Sequence, residues 1–109
     1  MAKLEKTFHG ESFDRILRRI EEGVMTASVS ASLEDQAVYR VGDARCAVRV
    51  FERYSYAGSN RVSMSVTLFQ SGDTIHLCAV TSGGSQAMFF KINTWGEESF
   101  LETLANVFR

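Results

Sequence analysis

Between residues 44 and 92 apolar and polar side chains alternate, with glycine-bearing breaks only at Gly58, Gly72 and Gly83-Gly84. Alternation at period two belongs to strands with one buried and one wet face. The stretch predicts four antiparallel strands, on which every other element should pack.

Side-chain parity predicts their register. Cys46, Val48, Val50, Tyr54 and Tyr56 are the apolar set of the first strand, and Val62, Met64, Val66 and Leu68 that of the second. Both sets are even-numbered. A loop at Gly58-Ser59-Asn60 would therefore pair Tyr54 with Met64 and Val50 with Leu68. The third strand's set is odd: Ile75, Leu77 and Ala79. A turn at Ser71-Gly72 would pair Leu68 with Ile75, Val66 with Leu77 and Met64 with Ala79. A turn at Gly83-Gly84 would pair Ala79 with Met88 and Leu77 with Phe90. Each turn falls on residues that tolerate positive φ.

Upstream, residues 11–22 read as a helix, with Phe13, Ile16, Leu17 and Ile20 in one stripe and Gly23 as a left-handed C-cap. Arg15, Arg18 and Arg19 lie off the stripe, as a solvated face in the first instance and an anion-binding patch in the second. Residues 24–33 alternate cleanly and predict a strand. Glu34-Asp35-Gln36 should bulge, because an unbroken strand would bury Asp35. Residues 37–41 resume, and Gly42-Asp43 suits a tight turn. Lys3 to Phe8 fits an edge strand or a lead-in. Thr94 and Glu97 have capping-box spacing for a second helix, buried through Trp95, Phe100, Leu101, Leu104 and Phe108. The expected fold is a single α+β domain over residues 1–109. It is a two-layer sandwich: an antiparallel meander of about five strands, with an N-terminal and a C-terminal helix on one face.

Bulk properties narrow the function classes. A net charge of −1 argues against nucleic acid, which calls for a basic stripe. No apolar run approaches the roughly 20 residues that span a bilayer, and the N-terminus lacks an apolar signal core. A cytoplasmic location follows, with both cysteines as reduced thiols.

Parity also names the uncovered sheet face. Arg49, Phe51, Arg53, Phe69, His76 and Phe89 should lie there, a mixed polar and aromatic patch. It either covers itself, arginine stems over rings, or meets a partner. His76 and Cys78 share that face but stand about 7 Å apart along one strand, long for a thiol–imidazole pair. Cys46 should point the other way, which argues against a Cys46–Cys78 disulfide. Two cysteines and two histidines on both faces do not make a metal site. Ser82-Gly83-Gly84-Ser85-Gln86 lacks the lysine and following helix of a phosphate-binding loop and reads as a turn. Glu52 should share the apolar side with Tyr54 and Tyr56. It is either solvated at the rim or the functional carboxylate of a pocket between sheet and helices.

The stretches RCAVRVFERYSYAGSNRVSMSVTLF and SGGSQAMFFKINTWGEESFL, with SVSASLED after the first helix, resemble an uncharacterised family of small bacterial proteins, a domain of unknown function. The resemblance spans nearly the whole chain and implies no activity, cofactor or catalytic residue. The leading expectation is a non-enzymatic binding domain that self-associates as a homodimer through the mixed sheet face, with no nucleic acid or membrane partner. The alternative is a small-molecule binder or enzyme using a cavity beside Glu52, Tyr54 and Tyr56.

Overall fold

In a computed structural model the described residues are 1–55, 60–83 and 90–108. The elements are β1 (Ala2–His9), α1 (Phe13–Ala27), β2 (Ser32–Val41), β3 (Ala44–Ser55), β4 (Asn60–Ser71), β5 (Thr74–Gly83) and α2 (Phe90–Val107). The strands form one antiparallel sheet in the order β1-β5-β4-β3-β2. Both helices lie on one face, so the fold is the expected α+β sandwich. Lys3 to Phe8 is an edge strand.

The core lies between sheet and helices. Phe13, Ile16, Ile20 and Val24 line the buried side of α1, and Phe100 and Leu104 that of α2. Below them lie Phe51 of β3, Val62, Met64, Val66 and Leu68 of β4, and Ile75, Leu77 and Ala79 of β5. The parity read for β4 and β5 is therefore correct. Their register is shifted by two residues, since Leu68 faces Leu77 and Ser71 faces Thr74. The turn is Gly72-Asp73, with Gly72 at φ 62°. A two-residue slip keeps every side chain on its face, which is why parity could not detect it.

Two expected strand segments are helical. Val24 to Ala27 complete α1, because Val24 extends the stripe of Ile16 and Ile20 at four-residue spacing and is wholly buried. Gly23 is consequently inside the helix, not its cap. The connection to β2 is tied by Ser30, whose hydroxyl accepts the Tyr54 amide at 3.1 Å. The expected bulge is present between Leu33 and Asp35. At the other end, Phe90 to Ile92 start α2, and Thr94 lies inside that helix rather than at its cap. The edge of β5 expected to pair with the following segment is taken by β1: Leu4 faces Ala79 and Phe8 faces Ile75. Gly84, Met88 and Phe89, which that pairing involved, lie outside the described residues.

α2 crosses β5, β4 and β1; α1 lies beside α2 and reaches β4. Arg19 of α1 closes the C-terminal end of α2, its guanidinium donating to the Val107 carbonyl at 2.6 Å and lying over the Phe108 ring. A cation there satisfies a helix-end carbonyl and opposes the dipole. One of the three helix arginines thus has a structural role. Glu97, buried on α2, accepts the Gly83 amide at 2.7 Å and pairs with the N-terminal ammonium, tying α2 to the sheet edge.

Candidate functional site

The arginines of β3 decide which face of the sheet is free. Arg45, Ala47, Arg49, Phe51 and Arg53 point toward the helices, and Cys46, Val48, Val50, Glu52 and Tyr54 point away. This reverses the parity read for that strand. Facing residues sum to an odd number, so Phe51 meets Met64 and Cys46 meets Phe69. The cause is charge pairing across the layers. Arg45 donates to Asp14 at 2.9 Å and lies 4.1 Å over the Phe13 ring. Arg49, nearly buried, donates to Glu21 at 2.7 Å and to the Val48 carbonyl at 3.1 Å. Arg53 lies over Phe100 and donates to Ser99 at 2.8 Å. Burial holds the Arg53 guanidinium below its ordinary value. Each stem packs as an apolar side chain while the head finds a partner.

Three residues assigned to the working surface are therefore under the helices: Arg49, Phe51 and Arg53. Phe69 and His76 are on the open face as expected, and Phe89 lies outside the described residues. Glu52 and Tyr54 are also on the open face, not between sheet and helices. Glu52 accepts from Arg61 at 2.9 Å and is a half-exposed ion pair. Tyr56 lies outside the described residues.

The acidic partners supplied by α1 carry a pH signature. The hydrogen bond from Arg45, with Coulombic help from Arg45, Arg40 and Arg18, holds the Asp14 carboxyl below the ordinary value of 3.8. A depressed folded-state value stabilises the fold above 3.8 and loses that contribution as pH falls through the folded value. Asp14 is two-thirds exposed, so the contribution is small. Asp14→Asn should lower the urea midpoint slightly at pH 7, and the two proteins' midpoints should converge below pH 3.8.

The open face runs in rows across the sheet. One row is Tyr39, Cys46, Phe69, His76 and Thr7; the next is Ala37, Val48, Thr67, Cys78 and Glu5; a third is Asp35, Val50, Ser65, Val80 and Lys3. Tyr39, Val41 and Phe69 are exposed, at 62%, 80% and 42%. With Cys46, Val48, Val50 and Val80 half-buried beside them, the apolar strip crosses four strands. His76 is oriented by Thr7, whose hydroxyl lies 3.0 Å from Nδ1. Two hollows flank Phe69. One, of 280 Å³, is lined by Glu5, Thr7, Thr67, His76 and Cys78 among others; the smaller, of 120 Å³, lies between Tyr39, Val41, Ala44 and Cys46.

The family model matches residues 1–109 from end to end. The chain belongs to a family of unknown function (DUF6054). No curated protein matches it. The DUF6054 chain has both cysteines on the open face, contrary to the sequence reading, because β3 is reversed. They remain free thiols. With β4 between them their strands stand about 10 Å apart, too far for a disulfide. Among the described residues no three His, Cys, Asp or Glu side chains converge as a metal site, and no helix is long and apolar enough to cross a membrane.

Proposed function

We propose that this DUF6054 chain is a cytoplasmic binding domain that forms a homodimer through the open face of its sheet. The observation that carries the reading is the apolar strip of Tyr39, Val48, Val50, Phe69 and Val80 on a face neither helix covers. Five strands at their usual spacing make a face about 20–25 Å wide and about 25 Å long. Two copies would bury on the order of 1,000 Å² or more, the lower bound for a specific interface.

Charge placement supports a two-fold axis along β4. Such an axis lays β2 of one copy over β1 of the other and keeps each row on itself. Val50 then meets Val80, Val48 meets Cys78, and Phe69 meets Phe69. Asp35 and Lys3, at opposite ends of one row, face each other twice in the dimer. Free thiols suit a reducing compartment.

Sedimentation equilibrium at micromolar concentration tests the proposal. Wild type should be a dimer. Phe69→Asp, at an exposed site, should keep its circular dichroism and weaken association at least 100-fold, because two carboxylates would meet on the axis. Lys3→Asp and Asp35→Lys should each weaken the dimer, and the double exchange should restore it. A monomeric wild type at all concentrations would end the idea.

A further inference from the structure

The other feature without a partner is the edge of β2. Its one strand neighbour among the described residues is β3, and neither helix packs on it substantially. Half of its backbone N–H and C=O groups therefore point outward, a template for another strand. The two sheet edges differ in how they are guarded. β1 carries Lys3, Glu5 and Lys6 along its length. In β2 the acidic guards, Glu34 and Asp35 with the bulge beside them, occupy only the first half, and the second half carries one charge, Arg40. Residues 37–41 run on as a regular ladder with exposed apolar side chains on both faces: Val38 at 55% toward the helix side, Tyr39 and Val41 toward the open side.

The helix side of this edge is a cationic shelf. α1 sits over β3 through Asp14–Arg45 and Glu21–Arg49, leaving the strip above Val38 uncovered. Arg40 stands on the same side of β2 as Val38, and Arg18 of α1 is exposed nearby; both act on the Asp14 carboxyl together with Arg45. Neither Arg18 nor Arg40 is in an ion pair among the described residues. Arg45 takes up the Asp14 carboxylate, so Arg18 and Arg40 are left as uncompensated positive charge on this side.

We propose that the free edge of β2 accepts an extended acidic segment of another protein by strand addition, over residues 37–41. Alternate residues of that segment face opposite ways. Those on the helix side would be Asp or Glu, reaching Arg40 and Arg18. Those on the open side would be aliphatic or aromatic, lying beside Tyr39 and Val41. Main-chain hydrogen bonds give affinity, and the charge on one side gives direction and choice. A second copy of β2 is a poorer occupant, because the bulge interrupts the acidic stretch that would have to reach Arg40.

The test uses the full chain carrying Phe69→Asp, so that face-to-face association and edge binding are read separately. The probe is an end-blocked, fluorescein-labelled hexapeptide alternating Glu with Val or Ile, followed by fluorescence anisotropy. Binding in the micromolar range is expected, at least tenfold tighter than for the same peptide with Lys in place of Glu. Arg40→Glu should reverse that preference. Methylating the amides of one alternate set of peptide residues should abolish binding, and methylating the other set should be tolerated. Equal binding of both peptides, no binding at millimolar peptide, indifference to Arg40→Glu, or equal tolerance of both methylation sets would overturn the proposal. So would a protein dimer that persists with Phe69→Asp and that the peptide does not dissociate.

Discussion

Phe51→Asp should leave no cooperatively folded protein. Phe51 is wholly buried at the centre of β3, between Leu33 and Met64 on the neighbouring strands. Removing such a ring costs about 3–5 kcal/mol as a cavity. A carboxylate in its place adds the penalty of a buried charge without a partner, several kcal/mol more. Together these match the whole stability of an ordinary domain, about 5–15 kcal/mol. Far-UV circular dichroism and urea titration read the result directly. The contrast with Phe69→Asp is the informative part, because both change a β-strand phenylalanine to aspartate. One should unfold the chain and the other should only change its mass in solution. A folded Phe51→Asp protein would mean that β3 shows its other side to the helices.

Gly23→Ala should destabilise the protein by about 1–3 kcal/mol, against the normal trend. Inside a helix, alanine is usually better than glycine by roughly 0.5–1 kcal/mol. Here a Cβ on residue 23 would stand 2.1 Å from a methyl of Val107, where α1 passes the end of α2. The helices approach that closely only because residue 23 has no side chain, and overpacking at such a point costs more than the propensity gains. Val107→Ala should rescue Gly23→Ala, so the pair is strongly non-additive in a double-mutant cycle of urea midpoints. A stabilised Gly23→Ala would show that the helix ends do not meet.

How much of this was legible in the sequence depends on what each segment packs against. Val62 to Leu68 and Ile75 to Ala79 could be oriented from residue type alone, because their inward side chains are apolar and meet apolar helix faces. The bulge before Asp35 was readable because an acidic side chain broke an otherwise regular pattern. β3 misled because its inward side carries three arginines whose partners are far away in sequence. A usable signal did exist. Asp14 and Glu21 lie seven apart on α1, a rise of about 10.5 Å, and Arg45 and Arg49 lie four apart on β3, about 13 Å. Two carboxylates and two guanidinium groups at nearly matched spacing, on elements running the same way, mark a layer contact. Residues 24–27 misled for a different reason: four residues fit both periods, and only Val24 continuing from Ile20 favours the helix. The end of the sheet was hidden because nothing local shows that β5 will be claimed by residues 2–9 rather than by the segment after it. The candidate surface inherits the β3 error, which moved Arg49, Phe51 and Arg53 off it and brought Val48 and Val50 onto it.

The pairing of β1 with β5 has a consequence for assembly. Ala2 meets Thr81 and His9 meets Thr74, so the first strand of the sheet in chain order is joined to the last. Hairpins β2–β3, β3–β4 and β4–β5 close short loops, but this ladder must close the whole stretch between His9 and Thr74. Long loops cost more entropy, and distant contacts form slowly. During synthesis residues 2–9 are made well before their partners and must stay hydrated until residues 74–81 follow. The lysines at positions 3 and 6 then protect an unpaired strand while it waits for its partner.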